Sequence, residues 1–211
     1  MRKPSDESVV QSGASLSQQL SQRLRRQPIR RLKMSMPEAG VLVALTDHPQ
    51  DPQVVLTRRA SQLSSHAGEV AFPGGKRDPE DADLLATALR ESHEEIDLAP
   101  DRVEVVGPLG QVVSKHGFLV SPFLGVISDQ QPLTPNLDEL ESLFKVPLSF
   151  LLDRHHFQME TLSFEGRSIR MPRYDYQGYV IWGLSAFILV EMLNQGFDAD
   201  LPLELRPESR R

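Results

Sequence analysis

Three glutamates, Glu91, Glu94 and Glu95, sit in the segment LLATALRESHEEI, whose apolar residues recur at helical spacing. At about 100° per helical residue, Glu94 lies ~60° to one side of Glu91 and Glu95 ~40° to the other. All three carboxylates therefore project from one sector of the helix. Leu85, Leu89, Ser92 and Ile96 form an adjoining stripe, so the core-facing side runs beside the acidic one. Like charges at these spacings repel by a few tenths of a kcal/mol per pair, on the order of 0.2–0.5. Inside a cleft that repulsion needs an offset, and a hard divalent cation with oxygen ligands provides one. An isolated EXXEE is more often a solvated acidic face. The neighbouring residues decide between the two.

Gly74-Gly75 precede the helix and let the backbone approach a ligand or offer a carbonyl to a metal. Lys76 and Arg77 follow at once and suit phosphate. Arg90, beside the first glutamate, can brace a neighbouring carboxylate through its bidentate fork. Asp78-Pro79 reads as an N-cap with proline at the first helical position and Asp81 at the third. The helix should stop near Asp97, before Pro100. A glycine loop, a capped helix and a carboxylate cluster point to a Mg²⁺ site for phosphoanhydride chemistry.

Those pieces need a scaffold. GVLVAL (40–45) and QVVLTRR (53–59) read as strands split by the turn-rich DHPQDP. RVEVVGPL and GFLVSPFLGVI are further strands, and NLDELESLFKVPLSFLL reads as a short helix with a loop. HHFQMETLSFEGRSIRMPRY has hairpin character around Glu165-Gly166. IWGLSAFILVEMLNQ reads as an apolar closing helix, followed by a loose tail after Gly196. Residues 1–14 are polar and expected to be disordered, and Leu16, Leu20 and Leu24 then mark an amphipathic helix ended by Pro28. This gives a basic arm over 1–36, one domain over 37–195 and a tail over 196–211. There is no internal repeat.

Composition narrows the classes. The 211 residues are 39% hydrophobic and 25% charged, enough for a sizeable core. The absence of cysteine removes disulfides, iron–sulfur clusters, thiolate zinc sites and thiol nucleophiles. Residues 1–33 hold eight Lys/Arg against two Asp/Glu, whereas the rest holds 15 against 27. So acidic a body argues against broad nucleic-acid binding. The basic arm could touch RNA or a membrane surface, but a solvated amphipathic helix is the plainer reading. The longest apolar run, Tyr179 to Val190, is 12 residues, too short to span a bilayer. MRKPSDESVVQSG lacks the apolar stretch of a secretory signal, which predicts a cytoplasmic protein.

GGKRDPEDADLLATALRESHEEIDL resembles a Nudix box, the loop–helix signature of hydrolases acting on nucleoside diphosphates linked to another moiety. The likeness extends to the coenzyme A pyrophosphatase subgroup, which adds an upstream motif LLTxRxxxLxxHxGxVxFPGG. Here that stretch is VLTRRASQLSSHAGEVAFPGG, Val55 to Gly75, and the later IWGLSAFIL is similar to a tryptophan–glycine motif of the same subgroup. Asp81 stands one residue farther from Arg90 than the acid of the usual box. Asp97 replaces the usual terminal glycine, a left-handed position that Asp can reach, and Ser92 replaces a small apolar residue.

The resemblance implies an α/β fold, a Nudix-type α/β/α sandwich with a mixed β-sheet. It implies metal-dependent hydrolysis of the diphosphate of coenzyme A or its derivatives, giving 3′,5′-ADP and 4′-phosphopantetheine from coenzyme A itself, with Mg²⁺ or Mn²⁺. Catalysis would fall to Arg90, Glu91, Glu94 and Glu95. The metal would be held by Glu91 and Glu95, with Glu94 and the carbonyl of Gly74 or Gly75 in support. Glu94 or Glu139 would be the base, although an exposed helix acid is the plainer account of Glu139. Arg58, Lys76 and Arg77 would bind substrate, and Arg58 rather than Arg59 is the one to test. The same box would serve a hydrolase of ADP-ribose, NADH or capped RNA, or a non-catalytic nucleotide-binding module. His66 is expected to make a structural hydrogen bond. His155 and His156 should diverge on a strand; Trp182 could stack on adenine, but core packing within an apolar helix is the plainer reading. The amphipathic arm could pack on a second subunit to form a homodimer.

Overall fold

The computed structural model describes residues 14–60, 68–164 and 167–204. The expected disorder over 1–14 and the roles of His66 and the Glu165-Gly166 turn therefore lie largely or wholly outside the described residues. Along the chain run α1 (Leu16–Leu24), β1 (Glu38–Thr46), β2 (Gln53–Arg59), β3 (Val70–Ala71), β4 (Gly74–Lys76) and α2 (Leu84–Ile96). After a 3₁₀ turn (Pro100–Arg102) come β5 (Glu104–Pro108), β6 (Val112–Val113), β7 (Leu119–Ile127), β8 (Leu140–Pro147) and α3 (Leu148–Leu152). The chain closes with β9 (Gln158–Phe164), β10 (Arg167–Tyr176), β11 (Tyr179–Trp182) and α4 (Gly183–Phe197).

The main sheet is mixed. Its path is β3-β2-β1-β7-β5, with β4 on β1, β6 on β7 and β8 on β2. β1 runs parallel to β7 but antiparallel to β2 and β4. Alternation along β1 sends Leu42 and Ala44 to a cluster with Ala88 and Ile96 of α2. Val43 and Leu45 face the opposite cluster, which holds α4 and Leu20 and Leu24 of α1. Helices thus cover both faces of the sheet. A separate three-stranded sheet, β11-β10-β9, is antiparallel throughout.

Several expectations need correction. The segment LESLFKVP is a strand, β8, paired with β2 over Gln53↔Pro147 to Arg58↔Ser142. Helix α2 starts at Leu84, capped by Asp83, whose side chain accepts from the Ala86 N–H at 2.8 Å. Asp78 and Asp81 instead form a turn ahead of it, with Asp78 N–H donating to Asp81 Oδ2 at 2.9 Å. Ile181 and Trp182 end β11 rather than entering α4. The segment after Gly196 is anchored at least to Leu201, which is buried and bonded to both ends of the Asn194 amide. Finally, the apolar stripe of α1 is spent within the chain: Leu20 and Leu24 are buried against its own core. The described part of the arm is thus a packed helix rather than the solvated one expected.

Two elements must nearly touch to build the centre of the molecule. A Cβ on Gly40 of β1 would stand 2.3 Å from the Leu84 carbonyl oxygen and 3.0 Å from Ala88 N. Only glycine lets α2 cross β1 so closely. No helix among the described residues is long and apolar enough to cross a membrane.

Candidate active site

Register places the glycine loop over the helix. β4 lies on β1 with Gly75 opposite Gly40 and Gly74 opposite Val41. A Cβ on Gly75 would fall 2.3–2.4 Å from the Glu91 carboxylate, so the bare backbone there is what admits that side chain. Gly74 N–H donates to Glu95 Oε2 at 3.0 Å. The loop expected to meet a ligand thus also holds two of the three glutamates.

Arg90 organises one half of the cluster. Its Nε and Nη2 bind Asp81 Oδ1 and Oδ2 at 3.0 Å each, in the fork geometry that carboxylate and guanidinium share. Nη1 sits 3.0 Å from both Glu91 Oε1 and Glu94 Oε2, and Nη2 also donates to the Lys76 carbonyl at 3.1 Å. Asp81 takes a further bond from Thr87 Oγ1 at 2.9 Å. The Arg90 guanidinium holds the Asp81 carboxyl well below the usual carboxylate range, and Asp81 holds Arg90 above its own. Asp81 was expected as a helix-start residue; its work is to fix Arg90.

Glu95 forms the other half. It is 3% exposed, inside the stripe that packs α2 on β1, rather than beside it. Burial pushes its carboxyl up to about 7, against the pull of the Gly74 N–H and Arg59, with Glu91 and Glu139 adding like charge. Burial likewise raises Glu91, opposed by Arg90. Arg59 Nη1 lies 3.5 Å from Glu95 Oε1, while its Nε is buried with no hydrogen-bond partner among the described residues.

The other expected residues divide. Glu139 is exposed in a turn ahead of β8, not on a helix, and its charge reaches both Glu91 and Glu95. Asn136 N–H on the Glu95 carbonyl, at 2.8 Å, ties that loop to the end of α2. Arg58 points away, to Glu141 at 3.4 Å. Alternation on β2 explains this: neighbouring side chains face opposite sides, and Arg59 has the glutamate side. In the upstream motif Arg59, not Arg58, stands in the arginine column, a signal that could have found it. Arg77 is committed to Glu38 at 2.9 Å, and Lys76 Nζ lies 5.3 Å from the Phe118 ring centroid. Asp97 takes the left-handed cap at φ 56°, and Ser92 is buried with its hydroxyl on the Ala88 carbonyl. His155 and His156 sit in a turn rather than a strand, and both approach Asp153, at 2.7 and 3.9 Å. Trp182 is not in the core. It is 37% exposed, because β11 alternates Ile181 inward and Trp182 outward.

A divalent cation suits this donor set. Glu91 and Glu95 offer hard oxygens whose proton affinity burial has raised, against a backbone that Gly75 keeps bare. Among the described residues, no three acidic or imidazole groups already form a metal cage, and Arg90 Nη1 stands between Glu91 and Glu94.

Comparison with known proteins agrees with this geometry. A family model for the NUDIX domain matches residues 36–160. A Photorhabdus laumondii protein described as an uncharacterized Nudix hydrolase NudL is 39% identical over 168 residues, covering 80% of this chain and 89% of that one. A protein of the same description from Yersinia enterocolitica is 36% identical over 192 residues, covering 90% and 98%. Among solved structures, a MutT/nudix family protein from Enterococcus faecalis superposes with a TM-score of 0.51 at 18% identity, covering 88% of this chain and 70% of that one, which speaks to the fold alone. With the matched region carrying both the mixed sheet and the glutamate helix, the chain belongs to the NUDIX domain family.

Proposed function

We propose that this Nudix hydrolase cleaves the diphosphate bond of coenzyme A or a CoA derivative, giving 3′,5′-ADP and 4′-phosphopantetheine, with Mg²⁺ or Mn²⁺ as cofactor. The observation that carries the hydrolytic part is the pair Glu91 and Glu95 pressed on the Gly74-Gly75 backbone with raised proton affinity. The substrate part is supported by the likeness of Val55 to Gly75 to the coenzyme A subgroup.

In this reading Glu91 and Glu95 are the principal ligands, with Glu94 and the Gly75 carbonyl completing the set. When bound, the cation polarises phosphate oxygens and lowers the pKa of the attacking water. Arg90 is a positioning residue: fixed by Asp81, it sets where Glu91 and Glu94 point. Glu139, exposed in the turn ahead of β8 with its charge felt by both Glu91 and Glu95, takes the proton from water. Arg59 and Lys76 meet the diphosphate, joined by Arg58 and Arg77 only if each leaves its present carboxylate partner. The acidic chain would meet this small substrate in the cytoplasm, with no nucleic acid required.

Mass spectrometry of products from CoA, acetyl-CoA, ADP-ribose and NADH, each with Mg²⁺ or Mn²⁺, tests the reading. We expect 3′,5′-ADP and phosphopantetheine in preference to other products, and neither in EDTA. Preferred cleavage of ADP-ribose or NADH would keep the chemistry and overturn the substrate. No cleavage by folded protein would favour a nucleotide-binding module.

A further inference from the structure

Trp182 is the only tryptophan in the chain, and its indole is 37% exposed at the end of β11. Other aromatic side chains find ring partners: Phe144 stacks on Tyr179 at 3.7 Å, Phe150 on His156 at 3.9 Å, and Phe157 meets Tyr174 edge-on. The group on Trp182 is a cation instead, Lys115 Nζ at 5.9 Å from the ring centroid. Trp182 and the exposed Lys115 together present an aromatic plane and a positive charge to solvent.

Its position ties it to the glutamate site by two routes. Lys115 pairs with Glu69, whose carbonyl accepts the Arg59 N–H at 3.0 Å, and Arg59 reaches Glu95. The same hairpin carries Phe118, beneath Lys76 of β4, one residue from Gly75. Ser185 Oγ, donating to the Val70 carbonyl at 2.8 Å, fixes the start of α4, three residues after Trp182, beside β3.

An aromatic face with one ammonium group on it, Lys115, matches one chemical class well, a nucleotide, whose base stacks while its phosphates pair with cations. We propose that Trp182 is the stacking platform for the nucleobase of the substrate, with Lys115 moving from the indole to a substrate phosphate. This deepens the diphosphate-hydrolase reading and rests on it for the identity of the substrate.

Because Trp182 is the sole tryptophan, its fluorescence reports this surface directly. The full chain is titrated with 3′,5′-ADP and, separately, with 4′-phosphopantetheine, which has no base. Saturable quenching by the first and none by the second is expected. By calorimetry, W182A should weaken 3′,5′-ADP binding roughly tenfold or more, and W182F should restore most of it. Unchanged emission at concentrations where calorimetry detects 3′,5′-ADP binding would overturn the platform, as would equal affinity in W182A. Hydrolysis with a silent tryptophan would leave the enzyme reading intact and remove the platform. Quenching by 3′,5′-ADP without hydrolysis of any diphosphate would do the reverse.

Discussion

Two halves of one acidic cluster, joined at Glu91, have opposite electrostatics. Around Arg90, the Asp81 carboxylate is matched by the guanidinium fork and by Thr87, and its proton affinity falls. Around Glu95, one backbone N–H and a longer contact to Arg59 do not make up for burial, and proton affinity rises to about 7. Glu91 belongs to both, held by Arg90 yet raised by desolvation. The difference separates a brace, whose charges are satisfied within the chain, from a receptor, whose charge is left for something else to neutralise.

The receptor half should dominate activity. E95Q and E91Q should each lower kcat on CoA by on the order of 10²-fold or more, with the circular dichroism spectrum unchanged. The brace half should dominate stability. D81A leaves Arg90 without its main partner and should cost about 3 kcal/mol in urea unfolding. A smaller effect separates the two arginines of β2: R59A should reduce kcat/KM about tenfold, and R58A by less than that. Equal losses from the two would erase the distinction between their faces.

Acid gives a finer test. Asp81 is lowered in the folded chain, so its stabilisation is present above the ordinary value of 3.8 and is lost as pH falls below it. The stability gap between wild type and D81N should therefore shrink in acid below that value, read by urea unfolding across pH. Glu95 acts in the opposite sense. Raised in the folded chain, its contribution weakens as pH climbs from 4.5 to about 7.

The helix was legible because its signals are local: apolar spacing over Leu84 to Ile96 and a cap at Asp97. Its start was less so. Asp78-Pro79 has the composition of a cap, but the reach of Asp81 to Arg90 requires a turn there, and Asp83 takes the capping place. β8 was misread because Leu137, Leu140 and Phe144 mimic helical spacing, while its pairing with β2 is made across more than 80 residues of chain. Strand periodicity alone does not separate Arg58 from Arg59, because it leaves open which face of β2 looks at α2. The arginine column of the upstream motif does separate them, in favour of Arg59. Depth was equally hidden: equal spacing on a wheel does not reveal that Glu95 lies under the sheet contact while Glu94 stays in solvent.

Glu95 and Glu91, against the bare Gly74-Gly75 backbone, are the proposed holders of a divalent cation. Mn²⁺ binding to wild type and E95Q, measured by electron paramagnetic resonance without substrate, tests this most directly. Wild type should bind Mn²⁺ and the folded variant should lose most of that binding. Equal Mn²⁺ affinity in the two proteins would mean that the Glu95 carboxylate does not hold the cation.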